Sequence, residues 1–376
     1  MKTIVFGGAF DPVHSEHISL AAAAVKELGA EKLVLVPTFS PGHKSNAEAS
    51  FSDRVEMLKL AFSDFPVQTE ISDVERISGK TNYTFEILPL IEKKYGEAFY
   101  LVGGDSLEHF STWRHPEKIL ELTTLVADQR EGFENSEKSA AEIFERYGKK
   151  VILLDHVGKR ISSGEIKAEL YFSEKPDGVP AAVYDYIRKN KLYSRYDAFI
   201  EKLKGYLTDK RFLHTKCVTC CAIALNSRHN LKLDYDKVFV AAALHDVGKY
   251  VKGDENSCPK DALGSPVEHQ FVGAYVAEHD FGITDPEILS AIACHTTGKE
   301  NMSLLDKLVY CADVVSYERN YEGVLKLRAA IFDDFEKGFR KILYENYLHV
   351  AKSGDPVYPL TTKAVRYYDC LLYTSP

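Results

Sequence analysis

The feature that most constrains this chain is a change of hydrophobic period near residue 194. Up to Tyr193, short apolar runs (KTIVFGG, KLVLVPT, AFYLVGG, TTLVAD, KKVILLD) alternate with helical patterns such as HISLAAAAVKELG and SDRVEMLKLAF. That alternation predicts an α/β domain with a mainly parallel sheet. After Arg195 the strand signals stop. DAFIEKLKGYL, TKCVTCCAIALN, DKVFVAAALHD, QFVGAYVAEHD, PEILSAIAC, SLLDKLVYCADVV and a long stretch from Tyr321 to about Lys352 read as helix after helix, so the second half is expected to be all-α. With 376 residues and 45% hydrophobic content, the chain is too long for one ordinary core and long enough for two. The join, KLYSRYD, has no Gly/Ser or Pro-rich spacer, so closely set domains are expected rather than a flexible tether.

A formal charge of −8 argues against gripping nucleic acid through a general basic surface, because such binding is driven by phosphate neutralisation. Small-molecule or protein partners fit better. No run of 18 apolar residues exists, and MKTIVFGGAFD lacks a signal-peptide pattern, so the expectation is a soluble cytoplasmic protein with no membrane partner. Seven cysteines in such a chain are expected to be reduced thiols. Among them Cys217, Cys220 and Cys221 stand at helical spacing in an apolar run and read as core packing before zinc.

The stretch GGAFDPVHSEH sets His14 and His17 behind Gly7 and Gly8 at the end of an expected strand. Ligands of an open α/β sheet bind beyond the carboxyl ends of its strands, where glycine lets a phosphate approach and a helix N-terminus favours an anion. A metal is the weaker reading, since only Asp11 and Glu16 are at hand to complete a ligand set. ISSGEIK reads independently as a helix start, with Ser162 or Ser163 as cap and Glu165 in the first turn.

GGAFDPVHSEH resembles the GGxFDPxHxGH signature of nicotinate-mononucleotide adenylyltransferases, in the nucleotidylyltransferase superfamily. PGHK, RVEMLKLA, TNYTFEIL, YLVGGDSLEHFSTWRHPEKIL, ISSGEIKAEL and VPAAVYDYIRKNKLY follow in family order, over nearly the whole first half. The resemblance implies a Rossmann-like parallel-sheet domain over residues 1–193 that joins ATP, carried with Mg2+, to nicotinate mononucleotide. It implies that His14, His17, Ser162, Ser163 and Lys167 meet the ATP phosphates, with Lys44 as a further phosphate ligand. Gly7, Gly8 and Phe10 would line the substrate, Asp105 would face the adenosine or ribose, and Thr84 and Trp113 would hold the nicotinate ring. Such a transfer needs no protein nucleophile, because the acceptor phosphate attacks the α-phosphate of ATP and catalysis is positioning plus charge neutralisation. Two departures stand out. Glu16 replaces a family glycine and puts a carboxylate near the polyphosphate. Gly164 and Lys167 replace the Thr and Arg of ISSTxIR, exchanging a forked guanidinium for a point charge.

In the second half, ALHDVGKY places His245 and Asp246 together at the end of an apolar helix. Adjacent helical residues point about 100° apart, so the two share a metal only near a helix end or bend, which Gly248 permits. His214, His269, His295 and Asp313 complete the order H…HD…H…H…D. Imidazole with carboxylate suits Fe, Mn, Zn or Mg, and facing helices of a bundle are a place to build such a site. This order resembles the HD-domain metal-dependent phosphohydrolases, and most closely those that split diadenosine tetraphosphate symmetrically into two ADP. The resemblance implies an all-α HD-domain helical bundle over residues 194–369. In it His214, His245, Asp246 and Asp313 would bind one divalent metal, His269 and His295 a second that Asp246 bridges, and Lys249 and Arg319 would neutralise the polyphosphate. His229, His279 and His349 have no place in the pattern and are expected at the surface. The last residues, CLLYTSP at 370–376, continue no helical pattern, resemble translated adaptor sequence and are given no function.

The expectation is therefore a bifunctional enzyme, able to form a homodimer. Its rivals change the substrate, to phosphopantetheine or nicotinamide mononucleotide as acceptor and other nucleotides for the HD half. A further rival makes the HD half a non-catalytic nucleotide sensor.

Overall fold

The computed structural model describes residues 2–39, 47–78, 83–130, 136–159, 161–172, 175–354 and 356–368. Lys44 and the 370–376 tail lie outside these residues. The chain divides into two compact units, Met1–Leu170 with Lys175–Ser194, and Tyr171–Glu174 with Arg195–Pro376.

In the first unit the strands are β1 (Thr3–Gly8), β2 (Lys32–Pro37), β3 (Gln68–Ile71), β4 (Ala98–Val102), β5 (Thr124–Arg130) and β6 (Ile152–Gly158). The helices are α1 (Ser15–Leu28), α2 (Phe51–Ala61), α3 (Val74–Ser78), α4 (Thr84–Tyr95), α5 (Gly104–Glu108), α6 (Pro116–Leu122), α7 (Ser136–Tyr147), α8 (Ser163–Tyr171) and α9 (Ala181–Lys189). All strand pairs are parallel, in the order β3-β2-β1-β4-β5-β6. The sheet is the Rossmann-like one expected, with one strand more than the apolar runs indicated. β3 is short, polar and partly exposed at the sheet edge, where a strand needs no continuous apolar run. The central strands β1 and β2 are almost wholly buried, as a sheet covered on both faces requires. Strand order reverses between β1 and β4, which places the ligand crevice of such a sheet outside their carboxyl ends.

The second unit is helical, as expected: α10 (Asp197–Lys204), α11 (Asp209–Arg228), α12 (Tyr235–Leu244), α13 (Glu268–His279), α14 (Pro286–Cys294), α15 (Leu304–Val315), α16 (Val324–Asp333), α17 (Phe335–Ser353) and α18 (Pro359–Tyr367). Side-chain caps start the helices that carry the site: Thr208 accepts from Arg211 N–H, Asp234 from Asp236 and Lys237, Asp285 from Glu287, and Ser303 from Asp306. Residues 238–244 of α12 are buried on every side, which fits a helix apolar all round at the centre of a bundle. Cys220 and Cys221 are buried in α11, as a core reading requires, whereas Cys217 is only half-buried. The stretch from Tyr321 to Lys352 is two helices, because Asp334 leaves helical geometry and caps a new one by accepting from Lys337 N–H. His229 departs from the surface expectation: it is half-buried and its Nε2 donates to the Ile331 carbonyl at 2.7 Å. His279 and His349 are exposed.

Candidate functional site

In the first unit the candidates gather at the carboxyl end of β1. His14 caps α1, its N–H donates to His17 Nδ1 at 3.2 Å, and the two rings lie tilted at 31° with centroids 3.8 Å apart. Because Nδ1 of His17 accepts, the neutral ring carries its proton on Nε2. That gives a donor in the first turn of a helix, where the backbone already favours an anion. Asp11, the carboxylate that a metal reading would need, accepts from Glu48 N, Ala49 N, Tyr193 Oη and Lys167 Nζ at 3.0, 3.1, 2.8 and 3.2 Å. Burial pushes the Asp11 carboxyl up, but Lys167, then Tyr193 and the two amides, outweigh it and hold it below the usual range. Lys167 thus stands against Asp11, and its ammonium is the counter-charge of this loop.

The glycines of the signature are crowded by the chain's own side chains. A Cβ on Gly7 would lie 2.4 Å from the Tyr100 hydroxyl, and one on Gly8 3.2 Å from the Phe10 ring. Phe10, buried at φ 50°, meets the His17 ring edge-on at 5.0 Å. Tyr100 in turn hydrogen-bonds Thr84, the first residue of α4. Next to it, Arg114 lies 4.3 Å over the Tyr83 ring and His115 meets Phe85 at 4.7 Å, so the segments of Thr84 and Trp113 come together. Trp113 is half-buried against Phe110. Asp105, in the short helix after β4, accepts from Ser106 N–H at 2.9 Å.

The departures from the signature find partners. Glu16 accepts the Lys159 N–H at 2.7 Å, strapping the first turn of α1 to the end of β6. Its charge therefore stands at a helix N-terminus and on a backbone donor. Ser162 caps α8, accepting from Glu165 N–H at 3.2 Å while donating to that carboxylate at 2.8 Å. Ser163 donates to the Pro12 carbonyl at 2.9 Å and so ties α8 to the His14 loop.

In the second unit His245 and Asp246 follow the last turn of α12, His295 follows α14, and His214, His269 and Asp313 stand on α11, α13 and α15. His214, His245 and Asp246 offer ligand atoms within 4.8 Å of one another, and so do Asp246, His269 and His295. Asp246 is shared: its Oδ2 lies 3.4 Å from His245 Nε2 and 3.7 Å from His214 Nε2, its Oδ1 3.5 Å from His269 Nε2 and 3.7 Å from His295 Nε2. All five residues are buried. Asp313 joins through His214 Nε2, at 3.0 Å.

The imidazoles are oriented from behind. His245, His269 and His295 each direct Nδ1 to the carbonyl three residues earlier, at 2.7, 2.9 and 2.8 Å. An Nδ1–H bond to a carbonyl leaves Nε2 as the lone-pair donor, which is the form a metal takes. Burial, then His295 and Lys249, lower the His269 pKa to about 3, so this ring is neutral. Burial opposes charge on Asp246, but His245 and then His295 hold its carboxyl far below the ordinary range. The His214 pKa would fall by burial, yet Asp313 and Glu318 raise it. Lys249 Nζ stands 3.3 Å from His269 Nε2, and burial lowers its pKa. Arg319 donates to Asp313 Oδ1 at 2.7 Å. The donor set, four imidazoles around one shared carboxylate, fits divalent metal.

Four residues of this site carry no mark in the pattern of ligands. Glu318 receives His214 Nδ1, Arg211 donates to Asp246 Oδ2 at 2.6 Å, and Thr296 Oγ1 is 3.0 Å from both His269 and His295. Gln270 accepts from the N–H groups of Thr296 and Thr297 at 3.2 Å. Arg211 is one helical turn before His214, and Thr296 is next to His295, so helical spacing and adjacency could have found these two. Nothing local marks Glu318.

Residues 5–169 match the cytidylyltransferase-like family and residues 211–318 the HD domain family. A Mycoplasma genitalium protein named a probable nicotinate-nucleotide adenylyltransferase/Ap4A hydrolase is 32% identical over 330 residues, covering 85% of this chain and 89% of that protein. A Neisseria meningitidis serogroup B protein named a probable nicotinate-nucleotide adenylyltransferase is 32% identical over 203 residues, 52% of this chain and all of that protein. A Clostridium acetobutylicum crystal structure, described as a predicted HD superfamily hydrolase involved in NAD metabolism, aligns with 46% of this chain and 96% of its own at 29% identity and a TM-score of 0.42.

Proposed function

The chain belongs to the family of two-domain nicotinate-nucleotide adenylyltransferase/Ap4A hydrolase proteins, and from that premise we propose a bifunctional enzyme of cytoplasmic NAD metabolism. Residues 1–193 transfer the adenylyl group of ATP to nicotinate mononucleotide, releasing pyrophosphate and giving deamido-NAD. Residues 194–369 hydrolyse diadenosine tetraphosphate to two ADP. The observation that supports this best is the length of the match, 330 aligned residues running through both units.

For the transfer, the acceptor phosphate attacks the α-phosphorus of ATP, whose Mg2+ travels with the nucleotide. The protein's part is to position both and to offset charge. His17, with its proton on Nε2, and the first turn of α1 meet the polyphosphate, and His14 holds the His17 ring in that tautomer. Gly8, Phe10, Asp105, Ser162, Ser163 and Lys167 line or support this side, and Thr84 and Trp113 receive the nicotinate.

For the hydrolysis, His214, His245, Asp246 and Asp313 would hold one divalent metal, and Asp246, His269 and His295 would hold a second. A metal bound there would supply Lewis acidity toward phosphoryl oxygen and a lowered pKa for bound water. Lys249 and Arg319 lie beside the ligands and neutralise polyphosphate charge.

The test is a chromatographic assay of wild type, His17→Ala and Asp246→Ala with both substrate sets. His17→Ala should cut adenylyl transfer by about 100-fold or more and spare hydrolysis. Asp246→Ala should bring hydrolysis to background and spare transfer. Loss of both activities in either variant overturns the reading of two independent sites. A wild type that binds diadenosine tetraphosphate but leaves it intact with Mn2+ or Fe2+ replaces the hydrolase by a sensor.

A further inference from the structure

Three of the four histidines around Asp246 are oriented by backbone carbonyls; His214 alone is oriented by a side-chain carboxylate, that of Glu318. Glu318 is itself held, accepting from Ser316 Oγ at 2.9 Å, and it is partly buried, with its pKa pulled down by His214 against burial. A carboxylate behind a ligating imidazole fixes its ring and raises the basicity of the opposite nitrogen more than a neutral carbonyl does. The charges around the two halves also differ. His214 and His245 have Asp246, Asp313 and Glu318 near them against Arg211 and Arg319, three carboxylates to two guanidiniums. Among the described residues, His269 and His295 have only the shared Asp246, against the Lys249 ammonium 3.3 Å from His269 Nε2. The first half is thus the more negative of the two.

We infer that Glu318 is a positioning residue that makes the His214/His245/Asp246 half the tighter of two unequal metal positions, so that the site fills in sequence, first there and then at His269/His295. The inference rests on the metal-site part of the hydrolase reading and concerns binding alone. Fixed by Glu318, His214 presents Nε2 at no further orientational cost when the first ion arrives. The second ion meets Lys249 and shares a carboxylate already bound, so it enters more weakly.

The experiment is a calorimetric and electron-paramagnetic titration of the metal-stripped full-length chain with Mn2+ alone. The wild type should take up two ions in two resolved phases. Glu318→Gln, which keeps the size and loses the charge, should weaken the tight phase by about 10-fold or more and leave the weak phase within about 2-fold. Should Glu318→Gln not fold, as judged by circular dichroism, Glu318→Asp takes its place with the same selective loss expected. One phase in the wild type, equal weakening of both phases, or no change in the variant overturns the inference. A chain that binds two ions unequally, loses the tight phase in the variant and yet leaves diadenosine tetraphosphate intact upholds it while removing the hydrolase reading.

Discussion

A Cβ on Gly7 would press on the Tyr100 hydroxyl, the part of that ring held by Thr84. Gly7→Ala should therefore cost about 1–3 kcal/mol, and adding Tyr100→Phe, which removes the obstructing oxygen, should restore part of the loss. Urea midpoints of the two single variants and the double variant check this; strictly additive losses would contradict it. Glu75 is one residue through which pH acts on the first unit. Its carboxylate accepts the Phe39 N–H at 2.9 Å, and burial, only partly offset by that bond and by Arg54, raises its pKa to about 7. A carboxyl raised in the folded state contributes fully below its unfolded pKa of about 4.5 and loses that contribution as pH rises through about 7. Stability from this group should therefore fall by up to about 3 kcal/mol between those values. Glu75→Gln should flatten that part of the Tm-against-pH curve, and an unchanged slope would rule out Glu75 as its source.

At the scale of elements, the HD turn works because α13 lies directly on it. A Cβ on Gly248 would lie 2.4 Å from the Gly273 N and 2.5 Å from the His269 O, both backbone atoms that cannot swing aside. The sequence suggested Gly248 for its freedom to bend; the structure requires it for this approach, which brings His269 toward Asp246. Gly248→Ala should destabilise the second unit by about 3 kcal/mol, the upper end for an inserted methyl group, and reduce Mn2+ uptake at His269/His295. Thermal melts with and without Mn2+ measure both, and a variant with wild-type melting and uptake would refute the contact's role. The same packing explains what helical spacing left out. Apolar periodicity gives α11 to α15 their buried faces, but a polar edge strand such as β3 and the break at Asp334 carry no periodic signal.

For the whole molecule, two compact units with separate ligand sets lead to separable stability. A ligand that binds only the folded second unit stabilises it by about 2.7 kcal/mol at 100 times its Kd and leaves the first unamended. Calorimetry should resolve two transitions, of which Mn2+ moves one; a single transition that shifts as a whole would show the units to be coupled. Among the described residues no helix is long and apolar enough to cross a membrane.

The change of period near residue 194, the GGAFDPVHSEH loop and the order of histidines and aspartates were legible in the sequence alone. Each is a matter of local spacing: strand and helix periods, a capped helix start, ligand residues at helix ends. What each side chain meets was decided only in three dimensions. Glu16, a repulsive oddity when read beside its neighbours, bonds a backbone amide 143 residues away, and His214 finds its carboxylate 104 residues on. Asp246 serves two groups of histidines because four helices deliver them to its two oxygens. Such pairings follow from how buried faces pack, and no periodicity along the chain encodes which distant residue will stand opposite.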